Sequence, residues 1–212
     1  MNSYHNDIMV LQAWFSPAFP TGAFSYSHGL EAAIQHGLVS DKDSLTRWIS
    51  CLLTSGSGWN DGLFLKAAYE GISDVNSLCL ALCSSKERYQ ETIELGKSFS
   101  RAVNGSYGAE LAQGLAYPVA VGMAARRRNI DIKLTTQSYL QAFAASLISV
   151  GVRIIPIGQQ AGQDCLVTLC RILEQVNNKL DVAGLEQLGS ASFMSEIMSM
   201  MHEKSNPRIY RT

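Results

Sequence analysis

Apolar residues recur with the period of an α-helix along almost the whole chain. Within residues 45–53 they occupy positions i, i+3, i+4, i+7 and i+8, and the same spacing returns in residues 139–151 and 166–176. The only strand-like stretch is residues 152–158, where Pro156 indicates the end of a helix instead. The sequence therefore predicts an all-α fold.

The length of the chain sets the scale of that fold. Its 212 residues contain no segment of linker composition, so residues 1–212 are predicted to form a single domain. About eight to ten helices fit, since globular helices average about a dozen residues, and several of them must surround a central helix. Five glycines lie in apolar stretches at a cost in helix propensity of up to about 1 kcal/mol each, which predicts close helix contacts there. They are Gly96, Gly105, Gly108, Gly114 and Gly122.

Local sequence patterns mark several helix ends. Ser40 is a predicted N-cap for one helix, and the pair Thr135-Thr136 for another. A helix that reaches Arg153 is predicted to break at Pro156. We expect Arg153 to be buried and bonded to backbone carbonyls or a carboxylate.

The charge and hydropathy of the chain exclude two classes of partner. The 17 basic and 18 acidic residues give a formal net charge of -1, which offers no footprint for nucleic acid. The most apolar windows, residues 111–125 and 139–157, are short or interrupted by polar residues, so no membrane span is predicted. The first residues lack the features of a signal peptide, and the five cysteines suit buried free thiols, so we expect a cytoplasmic protein.

The segment Gly96-Lys97-Ser98 raises the question of a nucleotide site. A phosphate-binding loop of the form G-x-x-x-x-G-K-[ST] needs a glycine where Glu91 stands, and it needs a loop where the surrounding residues favour a helix. No nucleophile elbow and no paired acid and base are evident either. We therefore predict no catalytic, nucleotide-binding or metal-binding residues and no cofactor of its own, so the protein is not predicted to be an enzyme.

Two alternatives stay open at this stage. His28, Glu31 and His36 could share a helical face, and they or the cysteines could bind a metal ion directly. An unrecognised enzyme is the other alternative, although the sequence supplies no convergent set of acid and base residues for it.

Three segments carry unusual local chemistry. In residues 16–34 two prolines and a glycine fix a loop, and Phe24 and Tyr26 near its end are either core residues or contacts. Residues 150–163 combine the predicted helix break with Arg153 and two glutamines. The third segment is the last 21 residues.

This C-terminal segment carries an apolar stripe at i, i+3, i+4 and i+7, which suits either an irregular core or a partner's surface. The stripe consists of Met194, Ile197, Met198 and Met201. Residue types that are enriched in interface hot spots follow beyond Pro207. They are Arg208, Tyr210 and Arg211. We therefore predict that residues 203–212 form a tail that becomes ordered on partner binding.

Four segments resemble those of a known family in their order and spacing. They read SPAFPTGAFSYSHGLEAAI, ELGKSFSRA, VGVRIIPIGQQAGQ and MMHEKSNPRIYRT. They resemble the signature segments of the urease accessory protein UreF family, and the resemblance spans essentially the whole chain. Departures are modest: Ala23 stands where a second glycine is common, and Ile209, Tyr210 and Thr212 replace a usual leucine, phenylalanine and serine.

The resemblance implies an all-helical, dimeric, non-enzymatic chaperone that assists nickel-dependent assembly of the urease metal centre. In the family, UreF binds UreD, also called UreH, and recruits the GTPase UreG, so that GTP hydrolysis is coupled to nickel delivery into apo-urease. The implied assembly is a homodimer within a 2:2:2 complex, in which UreG binds the GTP. The missing P-loop agrees with that arrangement.

Residues that match the family's motifs are the predicted partner contacts. Arg208 in the terminal motif and Phe24 in the loop before the SYSHGLE helix are the first candidates. The other candidates are Tyr26, Glu31, Arg153, Gln159, Tyr210 and Arg211.

Overall fold

The computed structural model describes residues 2–211, and this part of the chain is helical with no strand. The α-helices, in chain order, are α1 (Asn2–Trp14), α2 (Leu30–Gln35), α3 (Lys42–Ser55), α4 (Ser57–Glu70), α5 (Val75–Ala81), α6 (Lys86–Tyr107), α7 (Tyr117–Arg127), α8 (Ile132–Ile154), α9 (Gly158–Val182) and α10 (Phe193–His202). Short 3₁₀ turns lie at Ala23–Ser25 and Leu185–Gln187. The predicted all-α class and the predicted range of helix number are confirmed.

Helix α8 occupies the centre of the fold. It contacts α1, α2, α3, α4, α7 and α9, so other helices cover it on several sides. Leu140, Ala144 and Leu147 on α8 are completely buried, and they recur at the spacing of one helical face. The prediction of a central helix surrounded by others is confirmed.

Two glycines allow backbones to approach at van der Waals distance. A Cβ atom added to Gly96 in α6 would collide with the backbone carbonyl oxygen of Leu115. A Cβ atom added to Gly122 in α7 would collide with the carbonyl oxygen of Leu65 in α4. The predicted close contacts are confirmed at these two positions, and Gly96 lies inside a helix rather than in a phosphate-binding loop. The prediction is wrong at Gly105, Gly108 and Gly114, where an added Cβ atom would meet nothing within 4 Å.

Both predicted N-caps are wrong, because the actual cap residue precedes or follows the predicted one in the chain. Helix α3 is capped by Asp41, not Ser40: the Asp41 carboxylate accepts a hydrogen bond from the Ser44 backbone N–H at 2.8 Å, and the Ser44 hydroxyl accepts one in return. Helix α8 is capped by Asp131 rather than by the Thr135-Thr136 pair, which lies one turn inside the helix. Aspartate, serine and threonine are all good N-cap residues, so residue type alone does not separate the candidates.

The predicted helix break is confirmed, but the predicted burial of two residue types is wrong. Helix α8 ends at Ile154, just before Pro156. Arg153 is exposed, because the last turn of α8 directs it outward rather than into the core. Cys51 and Cys170 are also exposed, whereas the predicted thiol burial holds at Cys79 and Cys165. Among residues 2–211, no helix is both long and apolar enough to cross a membrane.

Candidate partner-binding surface

Helix α10 packs through one side only and leaves an apolar side exposed. It contacts α2 and α6 through Met198, Ser199 and His202, which are buried. The opposite side is large and apolar, and Phe193 on it is 67% exposed. The residues of this apolar α10 face are Phe193, Met194, Ile197, Met200 and Met201. Of the predicted stripe, only Met198 belongs to the core, so the stripe is mainly surface.

The tail after α10 folds back onto α2. The Glu31 carboxylate in α2 accepts hydrogen bonds from the backbone N–H groups of Ile209 and Tyr210, each at 2.8 Å. The Tyr210 side chain is buried, with 4% of its surface exposed, whereas Ile209 is exposed. The Arg211 N–H donates to the Ser25 carbonyl at 2.8 Å, so the tail also contacts the loop before α2.

A buried histidine joins the two helices that hold the tail. His202 is completely buried, and its Nδ1 lies 2.8 Å from Glu87 Oε2 in α6 while its Nε2 lies 3.1 Å from Glu31 Oε2. The other oxygen of Glu87, Oε1, accepts a hydrogen bond from Arg208 Nη1 at 2.6 Å. We call Glu31, Glu87 and His202 the clasp, because each of its carboxylates holds one part of the tail.

A second charged contact lies at the end of the tail. Glu94 Oε2 on α6 accepts hydrogen bonds from the Tyr26 hydroxyl at 2.7 Å and from Arg211 Nη1 at 2.8 Å. Burial raises the pKa of Tyr26, and the hydrogen bond to Glu94 raises it further, so the hydroxyl stays protonated and donates. The Arg211 side chain is 62% exposed and that of Arg208 is 46% exposed, so both guanidinium groups remain accessible to another molecule.

The structure brings together five of the eight predicted contact residues. Those five are Tyr26, Glu31, Arg208, Tyr210 and Arg211. Phe24 and Arg153 lie elsewhere, where both line the cavity described below, and Gln159 is exposed on α9. Of these five, Glu31 and Tyr210 are buried, whereas the side chains of Arg208 and Arg211 are partly exposed.

Sequence reasoning missed Glu87, Glu94 and His202. One sequence feature could have revealed the glutamates, because positions 87, 91 and 94 follow helical spacing and place three acidic residues on one face of α6. No local sequence pattern indicates a role for His202. Its role depends on two carboxylates that are distant in sequence.

A cavity of about 290 Å³ is lined by residues of α8 and of the loop of residues 16–28, together with residues of other helices, and its wall is mainly apolar. Asp61 reaches it and accepts a hydrogen bond from the Tyr139 hydroxyl at 2.7 Å. Burial raises the pKa of Asp61, although the nearby Arg88 lowers it in part. Glu91, also at the cavity, is paired with Arg88 at 2.5 Å and with His28 at 2.9 Å.

The residues of the open metal alternative do not share a site. His28 pairs with Glu91, Glu31 holds the tail, and His36 is exposed at the end of α2. In the described part of the chain, no three His, Cys, Asp or Glu side chains converge as metal ligands. The geometry therefore does not favour direct metal binding by His28, Glu31 and His36.

The described residues define an all-α protein with an exposed apolar α10 face and a tail that carries two accessible arginines. The family model for UreF matches residues 39–170. The chain is 39% identical to the urease accessory protein UreF of Roseobacter denitrificans over 96% of this chain and 93% of that protein. It is also 39% identical to the UreF of Ruegeria pomeroyi, over 97% of this chain and 96% of the relative.

Urease accessory protein UreF 1 of Brucella anthropi is 36% identical, over 97% of this chain and 94% of its own length. Each of these matches covers nearly the full length of this chain and of the relative. The chain belongs to the UreF family of urease accessory proteins.

Proposed function

We propose that this protein is a non-enzymatic chaperone for the nickel-dependent maturation of urease. In this proposal it bridges UreD, also called UreH, and the GTPase UreG, and the assembly acts on apo-urease in the cytoplasm. It works as a homodimer within a 2:2:2 complex and carries no cofactor of its own, because nickel is handled by the assembly and GTP is bound by UreG. Membership of the family supports this role.

The observation that carries the proposal is the exposed apolar α10 face beside a tail with two accessible arginines. Large exposed apolar patches mark interaction sites, since exposure of apolar surface to water is unfavourable and binding removes it from water. Stable interfaces have apolar centres, so we assign the α10 face to UreD or UreH. Arginine is common in interface hot spots and pairs well with carboxylates and phosphates, so we assign the tail to UreG.

Coupling to GTP requires that the assembly distinguish the nucleotide states of UreG. Typical allosteric coupling is about 1 to 3 kcal/mol, which corresponds to roughly 5- to 150-fold in affinity. Equal affinity of the complex with UreD for GDP-bound and GTP-bound UreG would contradict this part of the proposal.

The direct test is co-purification with UreD and UreG, followed by light scattering for stoichiometry. We expect the unaltered protein to form a complex with two copies of each component. Arg208→Ala should retain UreD and lose UreG, because it removes an accessible guanidinium from the tail. Arg171→Ala, at an exposed position on α9 away from the tail, is the matched control and should behave as the unaltered protein does. If the two variants assemble equally well, the assignment of the tail is wrong.

A further inference from the structure

We infer that four basic residues along α6 and the tail form a docking surface for a protein segment rich in carboxylates. The residues of this basic stripe are Lys97, Arg101, Arg208 and Arg211. The inference adds two residues of α6 to the tail and names the chemistry of the partner. Its application to UreG rests on the proposed function of the tail.

The helical period of α6 aligns its two basic residues with the arginines of the tail. Lys97 and Arg101 follow Glu94 by three and seven positions, so they lie on the same face of α6 as that carboxylate. Glu94 Oε2 binds Arg211 at 2.8 Å. Arg208 is bound to a carboxylate two turns earlier in the same helix. At a rise of about 1.5 Å per residue, the basic stripe therefore extends over about 20 Å.

The carboxylates of α6 are engaged within the chain, whereas the lysine and arginine of its second half are not. Glu87 and Glu91 are buried, and Glu94, with a side chain 35% exposed, is bound to Arg211. The side chains of Lys97 and Arg101 are exposed, and neither forms an ion pair with another described residue. The stripe therefore presents four cations to solvent beside one partly exposed carboxylate.

One further carboxylate lies near the start of α6. Glu203 accepts a hydrogen bond from the Lys86 backbone N–H at 2.9 Å. The side chains of Lys86 and Lys204 are both exposed there, so they offset its charge. The positive charge of the basic stripe is therefore not cancelled at that end.

The two arginines of the tail are held in place but keep donors for a second carboxylate. Arg208 binds Glu87 through Nη1, and Arg211 binds Glu94 through Nη1, so the other nitrogens of each guanidinium remain for a partner. The Arg211 Cζ also lies 5.9 Å from the centre of the Tyr26 ring. Side chains that are already positioned lose less conformational entropy when they bind, and guanidinium groups match the geometry of carboxylates.

The distribution of charge favours a short acidic protein segment over a nucleic acid. The four residues of the stripe leave 13 of the 17 basic residues to balance 18 acidic ones elsewhere in the chain. A nucleic acid that extends beyond the stripe would therefore meet a surface of net negative charge. A carboxylate-rich segment of about six extended residues matches the length of the stripe without extending beyond it.

The first test is a titration of the full-length protein with hexaglutamate, followed through backbone amide shifts at roughly 50 mM salt. We expect the shifts to concentrate in the second half of α6 and in the tail, and to disappear near 1 M salt, where the screening length is about 3 Å. Shifts spread evenly over the surface would overturn the inference. Tighter binding of hexathymidylate than of hexaglutamate would overturn the choice of a protein partner.

A pair of double variants separates the position of the charges from their number. Lys97→Gln combined with Arg101→Gln should weaken hexaglutamate binding about fivefold or more. Arg171→Gln combined with Lys179→Gln removes the same charge from exposed positions on α9 and should leave the affinity within about twofold. Equal weakening in both double variants would overturn the inference, because net charge alone would then determine binding.

The same two double variants, measured with UreD and UreG, separate this inference from the proposed function. We expect the α6 pair to weaken the affinity for UreG and to increase the rate of dissociation less than it lowers the rate of association. If hexaglutamate binds at the stripe while the affinity for UreG is unchanged, the inference stands and the assignment of the tail to UreG fails. If UreG is recruited through Arg208 but hexaglutamate does not bind, the assignment stands and the inference is overturned.

Discussion

Helices α9 and α10 are both amphipathic, but they present opposite surfaces to solvent. On α9 the apolar residues Leu169, Leu173 and Val176 are buried, and most exposed positions are polar. On α10 the exposed side is the apolar one. The apolar side of α9 is therefore largely covered within the chain, whereas a large apolar side of α10 stays exposed.

The charged groups show the same contrast. In the body, Glu91 is 1% exposed and lies against Arg88 and His28, so its charge is balanced inside the fold. In the tail, Arg208 and Arg211 bind carboxylates with one nitrogen but keep much of each guanidinium in solvent. Substitutions in the body should therefore change stability, and substitutions on the C-terminal surface should change binding.

The largest effect on stability is expected for Glu91→Gln. Removing one partner of a buried ion pair leaves the Arg88 charge uncompensated, which costs about 3 to 5 kcal/mol. Chemical denaturation at neutral pH measures the change. Glu174→Gln, at an exposed position on α9, is the matched control and should lie within about 0.5 kcal/mol of the unaltered protein.

The pH dependence sharpens that test. Burial alone would raise the pKa of Glu91, but Arg88 and His28 override it and lower the pKa to about 2, from an ordinary value of 4.5. A carboxylate with a lowered folded-state pKa stabilises the fold above its unfolded-state pKa and loses that contribution as the pH falls. The unaltered protein should therefore lose stability between about pH 4.5 and pH 2, and Glu91→Gln should lose less. An unchanged acid profile in the variant would contradict the assigned pair.

An intermediate effect is expected for Gly96→Ala. The new methyl group would meet the Leu115 carbonyl oxygen, and a backbone atom cannot move aside as a flexible side chain can. We expect a loss of about 1 to 3 kcal/mol in the free energy of unfolding. Gly105→Ala in the same helix meets nothing within 4 Å and should stabilise by up to about 1 kcal/mol. Effects of the same sign at the two positions would refute the close contact.

The smallest effect on stability, but a large one on binding, is expected for Ile197→Ser. Ile197 is on the apolar α10 face and is 46% exposed, so unfolding should change by about 0.5 kcal/mol or less. Binding to UreD should weaken at least tenfold, as measured by calorimetry. Val167→Ser on α9 removes an equally apolar and more exposed side chain and should leave binding unchanged. A similar loss of affinity for UreD in both variants would contradict the assignment of binding to α10 rather than α9.

The fold was largely predictable from the sequence, because the helical spacing of apolar residues is a local property that can be read in each segment separately. The break before Pro156 and the close contact at Gly96 were predictable for the same reason: one residue type has one geometric effect. The burial of Arg153 was mispredicted, since a flanking apolar run does not fix the direction of the last turn of a helix.

The candidate surface was predictable only in part. Residue type indicated Arg208 and Arg211, and the resemblance indicated Tyr26 and Glu31. The sequence could not indicate that Glu31 binds the tail, because Glu31 and Ile209 are separated by 178 positions. The choice between core and surface for the methionine stripe also depended on which side of α10 meets α2 and α6.

The 178 positions between Glu31 and Ile209 affect the order in which contacts form during folding. A contact that closes a loop of 178 residues is entropically costly until the intervening chain is compact, so the clasp should be among the last contacts to form. The same argument applies in reverse, because the contacts that hold residues 208–211 are to parts of the chain distant in sequence: the clasp, Glu94, the Ser25 carbonyl and the core around Tyr210. We expect this region to open by local unfolding well below the free energy that unfolds the body. The candidate surface formed by the tail can therefore open and close while the rest of the molecule stays folded.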